Sequence, residues 1–452
     1  MTKIDTGILK SMIDRGEIDT VIIAAADMQS RFFGKRCCAD FFLSEAVHGI
    51  NICSNNLIWD IELNEGGQYP LAGRRTGLPD LRAVPDMTTL RLYPWFEKTV
   101  LVMADLFHQD GTTVTIAPRN ILKRQVEKAG NMGLQADMAA EIEFYIFNET
   151  AETARDKRYR ELLPLSRMPA ESIHQSSRYE HFLGKVRRYL NGAGVEVELA
   201  RPERGRGQAE VNLRYTGALE MADRTAIYKN GIKEMADLEK LAVTFMAKYK
   251  TEEPASGFHV HLSLRDQKGN NIFYDENDEH GMSATCKHFL AGMITLAPEL
   301  MCFYAPYINS YKRYGSTFGA PRNLSWGFDN RTLSFRVIGR GKSFRIENRI
   351  PGADANPYLV LAACLASGLY GIENETALPS PPVRGSAYEM RELRVLPASL
   401  MDALADFENS ETARALFGRE VIDHYALAAK QEIECFLKSV TDWERRRNFE
   451  QV

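Results

Sequence analysis

The sequence predicts an α/β (α+β) protein of two domains, a small and mostly β domain over residues 1–108 and a larger one over residues 109–452. Three observations lead there. Short apolar or alternating runs separated by turns fill the first part, as strands do. From Pro118 onward helical and strand-like segments alternate. The chain has 452 residues, 44% of them hydrophobic, enough to bury more than one core.

The first strand is the apolar run Asp19 to Ala26. Asp27-Met-Gln-Ser makes a turn, and Arg31 to Cys38 returns as a second strand. Gly49 to Ile61 reads as a further strand region, and Val100 to Phe107 as another, closed by the turn Gln109-Asp-Gly111. Pro118 opens a helix, because proline is tolerated in a first turn. Glu141 to Phe147 alternates charged and apolar residues, as a half-buried strand does. Phe182 to Leu190 reads as helix, Val195 to Leu199 and Ala209 to Arg214 as strands, and Leu219 to Phe245 as a long helical stretch. Phe258 to Leu264, Thr332 to Ile338 and Phe344 to Ile350 alternate again. Tyr358 to Tyr370 is an apolar helix, followed by charged amphipathic helix to the C-terminus.

The formal net charge is -4 with the signs interspersed, so no basic footprint for nucleic acid stands out. No run approaches the ~20 apolar residues of a membrane span, and the N-terminus does not read as a signal peptide. Seven cysteines without a CxxC pair fit reduced thiols in the cytoplasm.

The chemistry lies in pairs of polar residues two apart on strands, which share a face. Glu141 and Glu143 are one pair. Side by side they repel, unless a divalent cation sits between them or the face is simply solvated. Glu203 and Glu210 flank a glycine-containing loop, as ligands or as surface acids of a hairpin. His259, His261 and Ser263 share a strand face, a pattern for metal or phosphate. Arg345, Glu347 and Arg349 form a row that is either a salt-bridge ladder or a place for an acidic substrate beside a metal. Five glutamates and one histidine on inward faces suit two or three hard cations, Mg²⁺ or Mn²⁺. Arginines beside them suggest phosphoryl transfer. Gly341-Lys-Ser343 imitates the end of a P-loop, but Arg336 stands where that motif needs glycine.

Together with Gly207 to Glu210, Ser256 to His261, Asn309 to Arg313, Asn323 to Gly327, Arg345 to Arg349 and Asn356 to Tyr358, these segments resemble the glutamine synthetase family almost from end to end. The resemblance implies an N-terminal β-grasp domain, a large catalytic domain, and a homo-oligomer of stacked rings, a dodecamer, with active sites between subunits. It implies ATP as cofactor and L-glutamate as substrate, with an amine attacking a γ-glutamyl phosphate. Glu143, Glu203 and Glu210 match the ligands of one metal, and Glu141, His259 and Glu347 those of another. Arg313, Arg349 and Gly257 match the glutamate side. Arg331 and Arg336 match positions near the transferred phosphate. His261, Ser263, Lys342, Arg345 and Arg336 match the nucleotide side.

Two acids that ammonia-using members carry are replaced here, by Cys53 and by Gly319. With Phe318 they define the expected amine pocket. Losing both acids favours an amine that is neutral at pH 7, so the expected product is a γ-glutamylanilide. Alkylamine or polyamine ligation, glutamine synthesis, and a catalytically silent structural role are the alternatives.

Overall fold

The computed structural model describes residues 4–168, 172–315 and 319–452. Phe318 lies outside them. The N-terminal part builds a six-stranded sheet from β1 (Thr20–Ala26), β2 (Phe32–Cys38), β3 (Ile50–Cys53), β4 (Asp80–Pro85), β5 (Arg91–Leu92) and β6 (Thr99–Phe107). Its order is β2-β1-β6-β4-β3, with β5 also on β6. β1 and β6 run parallel at its centre, and both are almost wholly buried. That explains why they read as continuous apolar runs rather than alternating ones.

A nine-stranded sheet follows. It contains β7 (Gln135–Phe147), β8 (Val197–Pro202), β9 (Gln208–Leu213), β10 (Thr216–Gly217), β11 (Ala242–Thr244), β12 (Phe258–Arg265), β13 (Trp326–Phe328), β14 (Phe335–Ile338) and β15 (Arg345–Asn348). The main path is β13-β14-β15-β12-β7-β9-β8. Ile142, Phe144, Val260, Leu262 and Ile346 are buried on one face. Tyr228, from the helix Ala218–Leu238, covers part of that face and donates its hydroxyl to Ile142 O at 3.0 Å. The helix Pro357–Glu373, buried along most of its length, packs against Pro118–Asn131, Ala218–Leu238 and Ala284–Leu296. The polar residues of β7, β9, β12 and β15 are left on the opposite face. Among the described residues no helix is long and apolar enough to cross a membrane.

Two expected elements are shorter than the sequence suggests. The strand region from Gly49 ends at Cys53, because Ser54–Leu57 turns into a 3-10 helix and buries Ser54 and Asn55. The long helical stretch ends at Leu238, and Ala242–Thr244 becomes a short strand on β7. Lys240 makes that break by adopting φ +57°.

A buried ionic knot ties the N-terminal sheet to the helices. Arg119 donates to both oxygens of Asp223 at 2.9 Å, to Asp86 at 2.9 Å, and to Asp105 on β6. Tyr358 donates its hydroxyl to Asp223 at 2.7 Å.

Candidate active site

Strand register brings the polar pairs into one patch. Glu143 lies directly across from Glu210, and Glu141 across from His259. Glu347 is opposite both His261 and Arg336, so β9, β7, β12, β15 and β14 each add to the same face. The donor atoms of Glu141, His259 and Glu347 lie within 4.8 Å of one another, as do those of Glu143, Glu210 and His259. His259 Nδ1 is 3.7 Å from Glu141 and 3.8 Å from Glu347.

The charge states fit divalent cations. Burial and then the charge of Arg349 push His259 down to about 4, so its ring is neutral at pH 7 and has a lone pair to give. Its Nε2 is buried with no hydrogen-bond partner among the described residues. Burial pushes Glu143 and Glu210 up; Glu203 adds to the rise of Glu143, and Glu143 to that of Glu210. Crowded carboxylates of this kind are stable as anions only when a cation lies between them. For Glu347 burial works the same way, but Arg349, His259, His261 and Arg336 outweigh it and hold the carboxyl at about 2. Glu141 is also held low. Burial opposes its charge, and hydrogen bonding to His259 and His261 overcomes that.

Glu203 stands beside the group of Glu143 and Glu210: its charge acts on both, and Arg201 binds its carboxylate and lies 3.5 Å from Glu210. Arg201 was not singled out from the sequence. It shares a face with Glu203 two residues on, which is the signal that could have found it.

The nucleotide-side residues are brought together only in part. Arg345 donates from Nε to His261 Nδ1 at 3.1 Å, and His261 Nε2 is 3.1 Å from Glu141. Ser263 lies two residues further along β12, across from Asp137. Lys342 is exposed on the turn Gly341–Ser343. Arg331 and Arg336 line a separate hollow, and Arg336 joins it to the acidic patch by donating from Nη1 to Glu347 at 2.9 Å.

A cleft of about 780 Å³ opens beside Glu143 and Glu203, and Gln208, Lys312, Arg313 and Gly319 are also on its wall. Gly257 N donates to Glu143 at 2.7 Å. A Cβ on Gly257 would stand 2.9 Å from both Arg313 Nη2 and His259 Nε2, so the glycine keeps this junction open. Arg313 is buried and donates to the carbonyls of Ile350 at 2.8 Å and Arg349 at 3.0 Å. Arg349 is bound to Glu347. Gln208 donates to Glu143 at 3.3 Å, a contact that its place two residues before Glu210 makes legible. Gly319 has φ +87°, so a side chain there would strain the backbone, and among the described residues nothing lies within 4 Å of a built Cβ. Cys53 is not on the cleft wall. It ends β3, the edge of the other sheet.

The model of the glutamine synthetase catalytic domain matches residues 115–448. The chain belongs to the glutamine synthetase family. It is 42% identical over 446 residues to the γ-glutamylethanolamide synthetase of Streptomyces coelicolor, covering 98% of this chain and 95% of that protein. It is 40% identical over 445 residues to the glutamate–isopropylamine ligase of a Pseudomonas species, covering 97% and 96%. A solved structure, an ADP complex of GmaS, superposes with a TM-score of 0.85 at 27% identity, over 98% of this chain and 99% of that one. The chain is thus an ATP- and divalent-metal-dependent carbon–nitrogen ligase of this family. Glu141, His259 and Glu347, and Glu143 with Glu210, are the groups that would hold divalent metals, which would supply positive charge for the phosphates of ATP.

Proposed function

We propose that this member of the glutamine synthetase family joins the γ-carboxylate of L-glutamate to a small primary aliphatic amine. The observation that carries the reading is the cleft, which runs from Glu143 in the acidic patch to Arg313 and Gly319. An acidic substrate placed there has its reacting carboxylate near the metal ligands. Glu141, His259 and Glu347 hold one metal, and Glu143 and Glu210 hold another with Glu203 beside them. Arg313 and Arg349 serve the glutamate carboxylates. Arg331 and Arg336 balance charge on the transferred phosphate, with His261, Ser263, Lys342 and Arg345 toward the nucleotide.

The amine is read as aliphatic because ethanolamine and isopropylamine are the amines in the names of the two curated relatives. An aromatic amine is the second reading, supported by the loss of both acids at Cys53 and Gly319. Ring assembly belongs to the proposal as well, since Cys53 stands on an edge strand away from the cleft and would act there only on a neighbouring copy.

The test is a competition at pH 7 between ethanolamine, isopropylamine, aniline, putrescine and ammonium at equal concentration, with products counted by mass spectrometry. The expected result is a γ-glutamyl amide of ethanolamine or isopropylamine in excess. A preference for aniline selects the second reading. A preference for ammonium overturns both, because it makes the chain a glutamine synthetase.

A further inference from the structure

Resting on the reading above, we propose that Glu252 is the specificity-determining residue that holds the cationic head of the amine substrate. A primary alkylamine behaves like a lysine head group, with a pKa of roughly 10.4, and reaches the enzyme protonated. It needs a carboxylate at the entrance to the site, and Cys53 and Gly319 supply none.

The cleft wall has four glutamates, Glu143, Glu203, Glu252 and Glu253. Three are already engaged. Glu143 accepts from Gly257 N at 2.7 Å and Gln208 Nε2 at 3.3 Å. Glu203 is bound by Arg201. Glu253 is buried and chelated by Arg206, which donates from Nε at 2.6 Å and from its backbone N at 3.1 Å. Glu252 is exposed on the cleft wall, and among the described residues its carboxylate makes no hydrogen bond or ion pair. Lys248, the nearby cation, donates its Nζ to Glu253 O at 2.6 Å. Glu252 sits in the loop just before β12, seven residues ahead of His259, so its position is coupled to the metal patch through the backbone. The loop residues thus divide the work. Glu253 anchors the loop to Arg206, and Glu252, whose charge acts on Lys248 and Arg206 only at a distance, presents a carboxylate on the cleft wall without a hydrogen bond or ion pair among the described residues.

The test separates charge from shape. Ethanolamine is a cation at pH 7, whereas hydroxylamine is a comparably small nucleophile that is neutral there. In Glu252→Gln the selectivity for ethanolamine over hydroxylamine, as a ratio of kcat/KM, should fall about tenfold, the loss of one charge-assisted hydrogen bond. Glu252→Asp, which keeps the charge, should retain most of it. An equal loss for both amines would overturn the proposal, since it means the loop was merely disturbed. A raised KM for glutamate with the amine ratio unchanged would overturn it too, placing Glu252 against the glutamate ammonium. Should the wild-type chain use neither amine, the failure is that of the proposed function, visible before any variant is made.

Discussion

Glu141→Ala should lower amide synthesis by on the order of a thousandfold, about 4 kcal/mol of transition-state stabilisation. Glu141 sits across from His259 and 3.1 Å from His261 Nε2, with its donor atoms grouped with those of His259 and Glu347. On the proposed assignment its removal deletes one metal ligand and leaves His259 and Glu347 to the remaining charge of Arg336 and Arg349. The fold should survive, because one negative charge fewer relieves a crowded acidic patch. Two readouts check this. Turnover is measured at saturating Mg²⁺, and the rise in unfolding temperature on adding Mg²⁺ to the wild type should shrink in the variant. Near-wild-type turnover, with the Mg²⁺ effect intact, would remove Glu141 from the metal site.

Arg119→Leu should cost about 3–5 kcal/mol of stability, because breaking a buried ion pair strands its partners. Three aspartates share this guanidinium, and Asp223 is 1% exposed on its side chain. Lys123 Nζ, 2.5 Å from Asp105, would be left as partner for only one of them. The midpoint of denaturant unfolding should fall in Arg119→Leu and recover in part in Arg119→Leu with Asp223→Asn, which removes one stranded charge. A single variant as stable as the wild type would show that the knot does not hold the N-terminal sheet to the helices.

The candidate site was legible where it lies on strands, because the two-residue period of a strand declares which side chains share a face. Glu141 with Glu143, His259 with His261, and Arg345 with Glu347 could each be paired from the sequence, and the register sets them on one surface. What the period does not carry is the partner across space. Nothing in the sequence says that Arg201 takes Glu203, or that Arg206 pairs with Glu253 rather than Glu252, because loop geometry decides both. The helix end at Leu238 was hidden for a different reason. No glycine or proline marks it; Lys240 adopts a left-handed conformation at a cost that the packing of β11 on β7 offsets. The strand from Gly49 was overextended because Ser54 and Asn55 look like strand-end residues but turn inward and are buried.

Replacing two acids by Cys53 and Gly319 favours a neutral amine in a cleft without other acids, and Glu252 on its wall, the proposed contact of a cationic amine, is what sets the aliphatic reading against the aromatic one. The φ of +87° at Gly319 adds that an acid restored there would carry backbone strain, so Gly319→Glu alone is a poor route back to ammonia use.

The most direct measurement incubates the purified chain with ATP, Mg²⁺, L-glutamate and ethanolamine or isopropylamine, and quantifies ADP and γ-glutamyl amide together. The account predicts one ADP for each amide, with both products lost when glutamate, the amine or the metal is withheld. ADP release without amide, or amide formation that continues at full rate after the divalent metal has been chelated, would contradict it.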